Sequence, residues 1–348
     1  MTARLHMLLG AGGVGKTTLA AGYALSLARA GRRVGLLGID PSRRLEGALG
    51  LALTDLDAAV PDAGSLRAAI VQPHQALERW VAEVCTPADA ARLERNPLFT
   101  ALGDRLATAT DVLAAARIVE WAERDPALTD LVVDTAPGTA AMSFVRSPRQ
   151  LEAMLTGRLV RWLRAAARTG GLDGVWLGAR VLGGLASVAG TRMLTDLAEL
   201  FAGVRAPLER LLVRVERARA WFADDDTELL LVTSPRDTGA AGARQLLDAL
   251  HGEGLSPRAV IVNRTWPAAL ADELAGVAIP GAEPLVAYAR AQLAAQAGVL
   301  AAVRDWAATV IALPSHADLG AARRPALIEL GEALRRELRL PDQVRSAS

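Results

Sequence analysis

The chain has 348 residues, 51% of them apolar, and its 39 basic and 38 acidic side chains leave a net charge of +1. At ~100–200 residues per domain, that length fits one large unit or two modest ones. Near-neutrality supplies no basic field for bulk binding to nucleic acid or an anionic membrane. The single cysteine, Cys85, excludes an internal disulfide and any thiolate cluster for zinc or a soft metalloid. The opening segment has a short apolar run leading into glycines, without the longer apolar region of a signal peptide. The most apolar later stretch, Gly174–Gly190, carries Arg180 and several glycines and falls short of the ~20 apolar residues of a membrane span. These features predict a soluble, cytoplasmic protein.

In chain order, Arg4–Leu9 reads as a short buried strand, followed by the glycine-rich Gly10–Gly15. A helix is predicted from Thr17 to Ala30, stopped by Gly31, and Val34–Ile39 is a second buried strand. Strand, glycine loop, helix and strand open a βαβ unit and imply a parallel sheet. Leu66–Val71 reads as a further strand, Pro73–Arg124 as helical with breaks near Pro87 and Pro97, and Leu131–Asp134 as a strand ending in an acid. Ser147–Phe222 is helix-rich with a glycine-laden middle. The α/β rhythm then returns, with strands at Leu229–Thr233, Ala259–Val262 and Val310–Leu313 and helices at Thr238–His251 and Ala321–Leu338. Trp266–Arg304 gives no clear pattern. The expected organisation is one domain over residues 1–348, with a helical subdomain within 73–125 and 147–222.

Gly10-Ala-Gly-Gly-Val-Gly-Lys16-Thr17 satisfies G-x-x-x-x-G-K-[ST] at every fixed position. Glycines let the backbone wrap tightly, so that successive N–H groups point at phosphate oxygens. The helix that follows adds its N-terminal dipole. Lys16 neutralises the outer phosphates, and the Thr17 hydroxyl can ligate Mg²⁺. Lys16 is also the sole lysine among the 39 basic residues, which are otherwise arginine. A planar five-donor guanidinium does not replace a compact ammonium in such a loop. Asp134 ends a strand, at the edge of an open parallel sheet where ligands bind, and suits a Mg²⁺-bound water. Asp40 follows the second strand and has a similar reading. Asn263 ends another strand, where it is either a turn residue or a donor to a base edge.

GAGGVGKTT resembles a deviant Walker A loop, and IDPSRRLEGALG (39–50) resembles a switch I segment. VVDTAPG (132–138) resembles switch II, LVTSPRDTGAAGARQLLDAL with AVIVNR (231–264) the late strand–helix–strand, and ALPSHADLG (312–320) the loop over the base. The segments follow one order over nearly the whole chain. They resemble the family of the arsenite-pump ATPases and the ATPases that target tail-anchored membrane proteins. With NPLFTALGDRLATATD and SPRQLEAMLTGRLVRWL, the layout is most similar to bacterial ArsA-like ATPases of unassigned role. The resemblance implies an α/β P-loop fold of the SIMIBI class: a mostly parallel sheet flanked by helices, with a helical subdomain. It implies a dimer that closes on ATP and opens after hydrolysis. Gly10, Gly12, Gly13, Val14, Gly15, Lys16, Thr17 and Thr18 then hold the phosphates. Thr17 ligates Mg²⁺ with Asp40 and Asp134 beyond it, and Asn263 reads adenine.

Three positions depart from the family pattern. The signature lysine that reaches across the dimer falls at Ala11, and the water-orienting aspartate of switch I falls at Gly47, beside Glu46. Switch II continues as Gly138-Thr139-Ala140 in place of Thr-Gly-His. Losing a charge donor or a water-orienting group costs ~10²–10⁵ in rate. The sequence therefore implies ATP binding with weak hydrolysis by the isolated chain, nucleotide state controlling the dimer and its partner. Glu46, Arg43 and Arg44 are the candidate replacements, and a related subunit carrying the lysine is a further one. The alternative is a non-hydrolysing pseudo-ATPase scaffold in a heteromeric complex. Either a homodimer or a heterodimer fits. Trp162, Leu163, Val175, Trp176, Leu177, Val181 and Leu182 could line a groove for a hydrophobic client helix or form an ordinary core. A partitioning or positioning ATPase would share the loop, but the neutral charge and the short polar tail after Leu340 argue against it.

Overall fold

The computed structural model describes residues 3–39, 42–95, 110–138, 140–147, 210–267, 269–277, 280–315 and 323–339. Asp40, the apolar residues singled out between 162 and 182, and the base-loop segment 316–320 lie outside the described residues.

Eight strands form one sheet: β1 (Arg4–Gly10), β2 (Val34–Gly38), β3 (Ala58–Ala59), β4 (Leu66–Ile70), β5 (Asp130–Asp134), β6 (Glu228–Thr233), β7 (Ala259–Thr265) and β8 (Val310–Pro314). Their order is β3-β4-β2-β5-β1-β6-β7-β8. Every pairing is parallel except the short β3–β4 edge. The inner strands β1, β2, β5 and β6 are built on Leu and Val and are buried at every position but Arg4, as a parallel sheet covered on both faces requires. The fold is the predicted α/β class, and every strand read from the sequence is present. β3 had no sequence signal, since two alanines carry no alternation.

Helix α1 (Lys16–Arg29) follows the glycine loop, and α2 (Arg44–Leu49) follows β2. Next come α3 (Pro73–Val84), α4 (Pro87–Arg95) and α5 (Thr110–Arg124). α6 (Asp237–Gly252) follows β6, α7 (Ala269–Leu274) and α8 (Glu283–Trp306) follow β7, and α9 (Arg323–Glu337) follows β8. The illegible stretch Trp266–Arg304 is thus largely helical. In α8 only Val286, Leu293, Gln296, Val299 and Val303 are buried, while alanines, Leu285 and Tyr288 lie on exposed positions. Apolar residues on both faces blur the periodicity that would announce the helix.

The chain divides into two compact units. One comprises Met1–Ile70, Trp121–Ser143 and Trp221–Ser348 and contains the sheet; the other comprises Val71–Glu120 and Phe144–Ala220. Among its described residues the second unit is helical, and Arg214 there forms a bidentate pair with Glu83 at 2.9 and 2.7 Å. In the first unit, α1 and α9 pack over Leu8, Leu36, Val132, Leu230 and Ile261 of the sheet. The two helices touch backbone to backbone: a Cβ on Gly331 would stand 1.9 Å from the Gly22 oxygen. Only glycine permits this approach, which fixes α9 against the helix that carries Lys16.

The N-terminal edge of the sheet holds a buried charge network. His6 on β1 bonds Asp130 at 2.9 Å through Nε2 and Glu228 at 3.1 Å through Nδ1. Arg32 grips Asp130 at 2.5 and 2.7 Å, and Arg258 donates to Glu228 at 2.7 Å. Burial pushes the imidazole toward neutrality, but the hydrogen bonds and charges of Asp130 and Glu228 outweigh it and raise its pKa above 6.5. Burial likewise opposes ionisation of Asp130, yet His6 and Arg32 hold its pKa at about 2. Glu228 is lowered in the same way by His6, Arg258 and Arg4.

Two outcomes follow for stability. Gly331→Ala is expected to destabilise the fold by about 3 kcal/mol in urea unfolding, because a buried backbone contact must open; an unchanged midpoint would refute the close packing. For pH, a raised histidine pKa gives stability that is full below 6.5 and is lost as pH rises through the folded value. The lowered carboxylates give stability that is full above their unfolded values and is lost as pH falls, for Asp130 through about 2. Unfolding free energy is therefore expected to peak between about pH 5 and 6.5 and to decline above that window. A profile that rises steadily from pH 6.5 to 9 would contradict the network.

Candidate functional site

The site lies at the opposite, C-terminal edge of the sheet. β1 ends at Gly10 with φ 151°, where a Cβ would fall 2.1 Å from the Val232 oxygen on β6. Gly13 and Gly15 take φ of 79° and 95°, the left-handed region that glycine enters without strain. The chain thereby turns from the central strand into α1 within five residues.

Lys16 is the first residue of α1 and only 6% exposed. Its Nζ donates to the carbonyls of Gly10 at 2.9 Å and Ala11 at 3.0 Å. The Gly10 oxygen also accepts the Gly138 N–H at 2.9 Å, so one carbonyl joins Lys16 to the segment after β5. Thr17 and Thr18 are half-buried and line the same cleft. That cleft measures about 490 Å³ and is lined by Gly13, Gly15, Lys16, Thr17, Thr18, Arg44, Gly47, Ala48, Thr135, Arg264, Arg323 and Leu327. Among the described residues, four cations and no carboxylate line it, a field that favours an anion.

The predicted site residues fall as follows. Asp134 ends β5 in register with Leu8 of β1 and Gly38 of β2, and is 2% exposed. Next to it, the Thr135 hydroxyl donates to the Leu8 oxygen at 2.7 Å. Asn263 is buried on β7 and its amide donates to the Val14 oxygen at 2.8 Å, which ties the loop to β7. A Cβ on Gly15 would stand 2.4 Å from that amide nitrogen. Gly12 and Gly13 are exposed at the loop's crest. Arg44 lines the cleft, whereas the Arg43 side chain is 92% exposed. Glu46 accepts the Leu53 N–H at 2.9 Å and stands 3.7 Å from Arg43, and it does not line the cleft. Ala11 is partly buried and packs on the core.

Two charged cleft residues escaped the sequence reading. Arg323 opens α9 and donates to the Gly47 oxygen. Arg264 directly follows Asn263, has φ 62° and donates from Nη1 to the Gly13 oxygen at 3.0 Å. A left-handed conformation costs a non-glycine residue about 1–2 kcal/mol, so Arg264 holds it against an intrinsic penalty. The adjacency to Asn263 was visible in sequence; the inward turn of the backbone was not.

The family described as Anion-transporting ATPase matches residues 3–276. The chain belongs to that family. It is also similar to an uncharacterized protein of Streptomyces coelicolor, with 31% identity over 283 residues, covering 76% of this chain and 63% of the relative. This chain thus spans somewhat less than two thirds of that curated relative's length. Membership of that family suggests nucleotide binding. No helix among the described residues is long and apolar enough to cross a membrane.

The Asn263 contact can be probed directly. Asn263→Asp replaces the donor facing Val14 by an acceptor and is expected to cost about 1–3 kcal/mol of stability. It is also expected to speed hydrogen exchange at the amides of residues 14–16. Wild-type exchange in Asn263→Asp would show that β7 does not hold the loop.

Proposed function

We propose that this protein binds Mg-ATP in the cleft, with Lys16 on the outer phosphates, and that the isolated chain hydrolyses it slowly. The carrying observation is the buried Lys16 ammonium resting on the Gly10 and Ala11 carbonyls at the mouth of the glycine loop. A phosphate oxygen there is a stronger acceptor than either carbonyl and can take over the ammonium. Exposed loop amides and the start of α1 supply further donors.

The oxygen donors suit Mg²⁺. Thr17 offers a hydroxyl in the cleft and Asp134 a carboxylate at the neighbouring strand end. Mg²⁺ takes one or two such side-chain oxygens and completes its shell with phosphates and water. Bound there, the ion would neutralise charge on the phosphates, while Lys16 and the loop amides hold them in place.

Slow hydrolysis is supported by Ala11, which places no cation beyond Lys16 in the loop, and by Gly47, which carries no side chain. The Glu46 carboxylate, engaged with the Leu53 N–H and near Arg43, supports this reading further. The nucleotide state would set the shape of a homodimer, or of a heterodimer with a related subunit, and its hold on a partner. The same observations favour, as a second reading, a pseudo-ATPase scaffold that stays closed on ATP. A soft metalloid cargo would need several thiolates, and Cys85 is the sole cysteine.

Titration of the purified chain with Mg-ATP, with phosphate release read on the same samples, is expected to give saturable binding with little turnover. Lys16→Ala is expected to abolish the binding. The double variant Ala11→Lys, Gly47→Asp is expected to raise turnover by at least ~10²-fold. Equal binding by wild type and Lys16→Ala would sink the nucleotide assignment. No gain in the double variant would sink the account of slow hydrolysis.

A further inference from the structure

We infer that Arg264 contacts the nucleoside half of the bound nucleotide, a step that rests on the nucleotide reading of the cleft. The argument begins with the backbone. Asn263 pairs with Leu313 and Thr265 with Pro314, so Arg264 is an extra residue bulged out of the β7–β8 ladder. With φ 62° it occupies the left-handed conformation that such a bulge ordinarily gives to glycine. A bulky residue stays there only when its surroundings over-determine it, and this strain gathers at functional sites.

The surroundings do over-determine it. On one side the Ser315 N–H donates to the Thr265 oxygen at 2.8 Å. On the other, Gln296 of α8, 7% exposed, holds both backbone groups of Trp266: it accepts the N–H at 2.7 Å and donates to the carbonyl at 2.9 Å. Bulge and clamp together bring an exposed arginine to the cleft wall, where Nη1 reaches the Gly13 oxygen. Glycine would relieve the strain and leave the clamp intact. What it cannot supply is the guanidinium.

Strand order says which end of the nucleotide Arg264 meets. Asp134 lies on β5, on one side of β1, and β7 lies beyond β6 on the other. With the phosphates on the loop between them, the phosphoryl end faces β5 and the nucleoside runs toward β7. A guanidinium there has the chemistry to stack on an aromatic base and to donate to ribose or base acceptors.

The test is calorimetric titration of wild type, Arg264→Gly and Arg264→Asn with ATP, ADP and inorganic triphosphate, beside the unliganded Tm. Asparagine, like glycine, tolerates the left-handed conformation. Both variants are expected to weaken ATP and ADP equally, by about tenfold, and to weaken triphosphate far less. The Tm of Arg264→Gly is expected to hold or rise. ATP binding at wild-type strength in both variants overturns the inference, as does an equal loss of triphosphate, which would make Arg264 a phosphate or loop contact. A wild-type chain that binds none of the three ligands overturns the nucleotide reading itself, and this inference with it.

Discussion

The carbonyl of Gly10 is where the parts of the cleft meet. It ends the central strand, and its oxygen accepts both the Lys16 ammonium and the Gly138 N–H. A buried ammonium is costly unless it is hydrogen-bonded, and this carbonyl with that of Ala11 supplies the bonds. The Lys16 ammonium is thereby joined to the segment that follows Asp134 through a single atom.

The rest of the first unit keeps that atom in place. β6 presses so closely on Gly10 that only glycine fits, and Asn263 of β7 ties Val14 from the side. Behind the loop, α1 is fixed by α9 through the Gly22–Gly331 contact. At the far edge, His6, Asp130, Glu228, Arg32 and Arg258 close the ends of β1, β5 and β6 with paired charges. Each of these carboxylates is paired with an arginine and hydrogen-bonded to His6, which is what lets buried charges persist. The sheet therefore has one edge closed by paired charges and an opposite edge where cations line the cleft.

How much of this was legible in advance depends on the range of the interaction. The strands could be read because buried parallel strands are continuous apolar runs, and the loop because phosphate binding demands glycine, lysine and threonine at set spacing. The α8 helix could not, since alanines, Leu285 and Tyr288 share its exposed positions with the charged residues and blur the period. Glu46 illustrates a different limit. Its place beside Gly47 suggested a substitute carboxylate, and its acceptance of the Leu53 N–H was not legible in the sequence. Arg43 and Arg44 are adjacent in sequence, yet only Arg44 lines the cleft.

The sequence by itself determined the α/β class, the family, the phosphate loop with Lys16, and the departures at Ala11 and Gly47. These are matters of local pattern, in which each residue type answers to its near neighbours or to a ligand. Only the tertiary structure decided that Asn263 braces Val14, that His6 bonds two distant acids, and that Arg264 and Arg323 enter the cleft. Those contacts join residues more than a hundred positions apart. Their geometry is set by strand order and by one bulge in β7, and composition and spacing along the chain do not encode it.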